Sequence, residues 1–383
     1  MSILKSSSLI PALQAQMQWF SGQPQLAGGN LSRVLYDFNN PENILERKVD
    51  EFSELVEIDD NHQECAICDP ETGRMALYYN GENVYDGFHN KLNEIPVNAM
   101  KSSYLTSIIA PNLSRDRTSY NLFYIDDLSH HIEYVIVDFP DGQDSPGKYI
   151  GKKTIESKAM PSPLGLACIN ESEYWLLALH NAHTLIAYRF DNTGTVYPAI
   201  NVSLAPLLYM DNISIDCESS SIISFGEKIA ITVNGALMVG EMIFSGLSGF
   251  SITRQELVDG SVSSLAPAFN KDKRKLYFLK NTSNNLDHVY VYEIDPGASY
   301  SIDSSYEYIN EYRTLKLAPN GNIYGTDIFP STQVDPLLMI EEISSTGTAV
   351  ISEILTDAMY SSVTFGNVQY EINSLRKGRA RYS

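Results

Sequence analysis

Three charged residues stand at the openings of apolar runs: Glu64 before Cys65-Ala-Ile, Asp216 after Ile215, and Arg313 before Thr314. Two carboxylates near an arginine suit acid–base or nucleophilic work on a glycosidic bond when they lie about 5–10 Å apart. Acidic residues at strand ends also serve simply to satisfy backbone donors, so only their placement can decide between the two roles. Cys65-Ala-Ile-Cys68 is the single CxxC of the chain, and zinc ordinarily takes a second ligand pair. With Cys168 and Cys217 far off, the four cysteines read as small core residues. His180 and His183 fall at a hairpin loop between Leu179 and Thr184, and His130-His131 follow Asp126-Asp127 in a turn; the helical spacing of a zinc pair is absent. No metal or cofactor is assigned, and no P-loop, dinucleotide-binding glycine motif, nucleophile elbow or EF-hand loop is present.

The elements that would position these groups are short runs of β-branched and aromatic residues punctuated by Asn, Asp, Gly and Pro, the signature of an all-β chain. One unit recurs: an apolar strand, a polar turn, and a strand rich in aromatics. Its copies are 65–79, 108–125, 165–179, 221–233, 266–279 and 315–325. Further hairpins follow at 184–190, turning at 191–194, and at 289–294, turning at 295–297. A spacing of about 40–60 residues matches one four-stranded blade, which predicts a β-propeller of about seven four-stranded blades, with six or eight left open. Residues 61–350 carry the blades. Residues 1–60 and 351–375 hold strand-like runs that would complete a closing blade, because pairing the two ends removes free sheet edges. Residues 376–383 are a basic tail with Arg376, Lys377, Arg379 and Arg381.

Composition narrows the function. A formal net charge of −20 repels nucleic acid and anionic membranes over the body of the molecule, and no run of apolar residues is long enough to span a bilayer. The start of the chain is too short and polar in its apolar part for a signal peptide, which points to synthesis in the cytoplasm. Leu9, Leu13, Met17 and Phe20 recur at helical spacing and predict a short amphipathic helix. Beside the basic tail, this helix would form a docking appendage for an acidic, partly apolar neighbour.

Tyr78, Tyr79, Asn80, Gly81, Val84, Tyr85 and His89, within the stretch 65–92, fit a phrase found in the first full blade of certain propeller modules. The chain there resembles β-propeller modules of Bacteroidota surface and gliding-motility-associated proteins, and the resemblance runs loosely through 60–350. It implies the propeller fold and makes Tyr78, Tyr79, Tyr85 and His89 candidate contacts for a glycan or protein. An exported type of propeller without an export signal fits a particle assembled in the cytoplasm, such as a phage tail or an injection-type particle. The expected function is a non-catalytic structural or interaction propeller with protein partners in an assembly. The alternative is a carbohydrate-binding or carbohydrate-active propeller using Glu64, Asp216 and Arg313.

Overall fold

The computed structural model describes most of residues 64–301 and strand segments at 18–21, 34–37, 45–48, 312–318, 321–327, 337–343 and 348–354. These form seven separate antiparallel sheets. The first holds β1 (Gln18–Ser21), β2 (Val34–Asp37) and β3 (Leu45–Lys48), and the second β4 (Glu64–Cys68), β5 (Met75–Asn80) and β6 (Val84–Asp86). The third contains β7 (Ser107–Pro111), β8 (Ser119–Ile125), β9 (His131–Asp138) and β10 (Lys148–Lys158). The fourth contains β11 (Leu164–Asn170), β12 (Glu173–Asn181), β13 (Thr184–Asp191) and β14 (Ile200–Ser203). The fifth contains β15 (Ser221–Phe225), β16 (Lys228–Val233), β17 (Ala236–Ser245) and β18 (Gly249–Asp259). The sixth is β19 (Ala268–Phe269), β20 (Lys275–Asn281), β21 (Asp287–Glu293) and β22 (Ala298–Ser301). The seventh is β23 (Tyr312–Leu317), β24 (Ile323–Asp327), β25 (Leu337–Ile343) and β26 (Thr348–Ile354).

Strand order within every sheet follows chain order, so each sheet is a meander built from local pairings. Successive sheets touch through their first strands, β1 with β4, β4 with β7, β7 with β11, β11 with β15, and β19 with β23. The first strand of each sheet is therefore the inner one and the last strand faces outward, which is the arrangement of a β-propeller. All six copies of the recurring unit are first-and-second-strand hairpins.

Side-chain alternation glues the sheets together. On β15, Ile222 and Ser224 point to the fourth sheet: the Ile222 methyl would meet a side chain placed on Gly165, and the Ser224 hydroxyl donates to the Leu166 carbonyl. Phe225 points the other way, into a cluster with Leu276, Phe278 and Leu279 of the sixth sheet. Between the third and fourth sheets, Phe123, Tyr134, Tyr174 and Phe190 pack ring on ring, with Tyr174 and Phe190 stacked at 5.2 Å. Truncating one such buried ring to alanine costs about 3–5 kcal/mol.

Two expectations need correction. Phe20 lies on β1, opposite Leu35, and not on a helix, because pairing an aromatic-rich segment into a sheet outweighs a four-residue helical periodicity. Leu9, Leu13 and Met17 lie outside the described residues, as do Arg376, Lys377, Arg379 and Arg381. Residues 351–354, expected in a closing blade, belong to β26 and pair with β25 in the seventh sheet. Among the described residues the first two sheets hold three strands each and the other five hold four.

Candidate functional site

In a meander whose first strand starts on one face, the second strand ends on that face and the third begins there. This face therefore gathers the starts of β4, β7, β11, β15 and β23 with the turns β8–β9, β12–β13 and β16–β17. Segments that link one sheet to the next are tied to those turns by backbone bonds: Met100 N to Ile125 O at 2.8 Å, Asp127 N to Asn98 O at 2.9 Å, Leu204 N to His183 O at 2.8 Å, and Val262 N to Gly235 O at 2.8 Å. The face is thus braced loop by loop on a rigid scaffold.

Its chemistry is mostly neutral and polar. Ser221 on β15 stands opposite Thr232 on β16, and Thr232 opposite Leu237 on β17, which in turn faces Asp259 on β18. This row ends in an ion pair, because the Lys280 ammonium of the sixth sheet lies 2.8 Å from the Asp259 carboxylate. The hydroxyls of Ser220, Ser221 and Thr232 are fully buried, with no hydrogen-bond partner among the described residues. Leaving a hydroxyl in that state costs about 1–3 kcal/mol. Described histidines 130, 131, 180, 183 and 288 all belong to this face, and only His89 lies on the opposite one.

Carboxylates near the rim are committed to structure. Burial works against ionisation of Asp126, yet hydrogen bonds from Ser129, Asn98 and the Leu128 amide prevail and hold it below the usual carboxylate range. Burial likewise opposes the Asp259 charge, and Lys280 and Ser261 overcome it to the same effect. Between them the crest of the face is apolar: Leu128 is 85% exposed at the tip of the β8–β9 turn, and Leu208, on the short 3-10 helix Ala205–Tyr209 after β14, is 51% exposed.

Of the acid–base candidates, Glu64 opens β4 opposite Asn80 and Arg313 lies on β23, both on this face, while Asp216 is outside the described residues. The aromatic candidates behave differently from expectation. Tyr78, Tyr79 and Tyr85 are 0%, 1% and 4% exposed, so they pack the second sheet and offer no contact surface. Tyr78 stacks on Tyr85 at 4.9 Å, and the Tyr79 hydroxyl donates to the Gly81 carbonyl at 2.6 Å. His89 is half-buried, with Nδ1 3.2 Å from the Tyr78 hydroxyl. His180 lies on β12, one residue before its end, instead of in a loop, and His183 occupies the turn, where Asn181 Oδ1 accepts from its amide at 2.9 Å. Cys65 and Cys68 are both buried on β4. Among the described residues no group of three or more potential metal ligands comes together.

Sequence reasoning missed Lys316. It sits in the middle of an apolar inner strand, is 8% exposed, and burial pulls its ammonium down to about 7 against a small opposing effect from the Cys68 thiol of β4. A lysine flanked by Leu315 and Leu317 in a run that alternates toward the core is the signal that could have found it. Because its folded pKa lies below the unfolded one, the penalty is fully present below about pH 7 and is relieved as pH rises toward the unfolded value.

No family model matches the chain, and no curated protein matches it in sequence. Solved structures do match it in shape. A protein from Bacteroides uniformis described as a candidate 6-phosphogluconolactonase is 10% identical, with 91% of this chain and 98% of that one covered at a TM-score of 0.53. The periplasmic gluconolactonase of Pseudomonas aeruginosa is 12% identical, with 92% and 99% covered at a TM-score of 0.50. Likeness at such identity concerns architecture, and together with the strand order it shows an all-β chain folded as a β-propeller.

Proposed function

We propose that the protein is a non-catalytic interaction propeller that receives a protein partner on the face carrying the first-strand starts. The observation that carries this reading is the exposed crest, Leu128 and Leu208, rising on the face that also carries His130, His131, His180 and His183, while the rim carboxylates Asp126 and Asp259 are spent on turns and an ion pair. Apolar anchors within a polar surround are what a protein interface uses, whereas acid–base catalysis needs carboxylates left available. The test is the size of the complex formed by the native protein. Wild type should elute as part of a larger assembly and the double variant Leu128→Glu/Leu208→Glu as a free chain with an unchanged melting temperature. A wild-type protein that always runs as a lone chain overturns the reading. A phage-tail or injection-type particle is one form such an assembly takes, and its signature is co-purification with intact particles.

A carbohydrate reading is favoured separately by His180 and Asn181, which are exposed at the end of β12 on this face and are hydrogen-bonding groups that suit sugar hydroxyls. The named activity of the gluconolactonase relative makes a sugar lactone the natural probe. Hydrolysis of gluconolactone above its spontaneous rate, abolished by Glu64→Gln, would replace the non-catalytic reading with an enzymatic one.

A further inference from the structure

Strand β10 has a charge that the rest of the molecule does not prepare for. In a chain of net charge −20, its eleven residues carry Lys148, Lys152, Lys153 and Lys158 against the single acid Glu156. It is the outermost strand of the third sheet, and β9 is the only strand paired with it among the described residues. Its other edge presents backbone donors and acceptors to the outside. Lys148, Lys152, Lys153 and Thr154 are exposed, and Ile150, 38% exposed, stands at a bulge between Lys148 and Lys152. Among the described residues, chain neighbours aside, no atom lies within 4 Å of the place where a side chain on Gly151 would begin, so the strand is open there.

Lysines on an edge strand also guard against unwanted pairing. The outer strand of the fifth sheet shows how little that function requires: β18 is also eleven residues long and carries one base, Arg254, and two acids, Glu256 and Asp259. On β10 the lysines are held in place by the sheet beneath. Lys152 pairs with Glu133, whose carboxylate also accepts from the Tyr124 hydroxyl at 2.9 Å and from Thr154 at 3.2 Å, and the Lys153 ammonium lies 5.9 Å from the centre of the Tyr134 ring. Oriented cations on both sides of an open strand edge, with an apolar residue between them, form a template.

We propose that β10 docks an extended acidic segment of a partner protein, which adds a strand to the third sheet with its carboxylates on the lysines and an apolar side chain near Ile150. Backbone pairing supplies affinity in such strand addition and alternate side chains supply selectivity. This surface is separate from the face described above, so its failure would leave that reading untouched.

The test uses the full chain and a fluorescein-labelled peptide of alternating glutamate and valine, about ten residues long, followed by anisotropy. Wild type should bind it, more weakly as salt is raised. Lys148→Glu/Lys153→Glu should weaken binding by roughly tenfold or more, Lys148→Gln/Lys153→Gln by less, and Arg254→Glu on β18 should leave it unchanged. A peptide of equal charge interrupted by proline should bind at least roughly tenfold more weakly, because it cannot complete the ladder. Equal binding of the proline peptide, unchanged affinity in Lys148→Glu/Lys153→Glu, or no binding by wild type each overturns the proposal. Self-association of Lys148→Val/Lys153→Val without peptide binding by wild type does so too, and makes the lysines edge guards.

Discussion

Two turns in neighbouring sheets are built on the same plan and put to opposite use. Asp86 ends β6 and accepts from the amides of Phe88 and Asn90, both at 2.9 Å; Asp126 follows β8 and accepts from Leu128 at 3.2 Å and Ser129 at 2.8 Å. Each turn exposes one large apolar residue, Phe88 or Leu128, and each ends on a histidine with left-handed backbone, His89 at φ 67° and His130 at φ 55°. The first turn is locked. Asp86 is fully buried, His89 reaches the Tyr78 hydroxyl, and a side chain on Gly87 would come within 2.1 Å of the Met75 carbonyl. The second is tied by backbone bonds, by caps and by the Asn98 side chain, which donates to Asp126 at 3.3 Å, and it lifts Leu128 clear of the surface. Identical turn chemistry can nail a sheet shut or present a residue, and the packing beneath decides which.

The largest effect expected from breaking this comparison is at Gly87. Gly87→Ala forces backbone against backbone and should cost about 3 kcal/mol, read from urea unfolding; a loss below about 1 kcal/mol would mean that the turn is not locked. Next comes Asp126→Ala, which removes the caps of an otherwise similar turn and should cost about 1–2 kcal/mol. Its sign with pH follows from the lowered pKa. The stabilisation is complete above the unfolded carboxylate's range, near about pH 4, and fades as pH falls through the folded value, so wild type and variant should converge in acid.

Smaller effects sharpen the contrast. Glycine relieves left-handed strain at no steric cost, so His130→Gly should be neutral or stabilising by about 0.5–1 kcal/mol. His89→Gly should show no such gain, because it also loses the edge contact with Tyr78 at 5.7 Å. Thermal melts of the two variants side by side decide it, and equal shifts would erase the distinction between the turns. Smallest of all, Leu128→Glu should change stability by less than about 0.5 kcal/mol and yet reduce partner binding if the turn presents that residue.

Much of the architecture was legible because propeller sheets are built from neighbours in the chain. Hairpins such as Ser221–Phe225 with Lys228–Val233 announce themselves by alternating apolar residues around a Gly-containing turn, and that information is local. The site was far less legible. Tyr78 and Tyr79 belong to a phrase that reads like a contact surface, and nothing in the phrase says that both rings are buried. The cross-strand pairing of Ser221 and Thr232 was implicit in their hairpin, but the burial of both side chains depends on what the folded chain packs over that hairpin.

The amino-acid sequence by itself determined the strands, the turns that join them, the repeat that stacks them, and the acidic surface, since each depends on periodicity, turn residues or a sum of charges. Tertiary structure alone decided which side chains are buried, which strand is outermost, and which groups share a face. Phe20 became a strand residue only by pairing with Leu35, Lys316 became a desolvated base only because inner strands close around it, and the lysines of β10 became a surface only because that strand ends its sheet. The physical reason is that burial and electrostatic environment are set by residues far apart in the chain, and a run of local sequence carries no record of what will be packed against it.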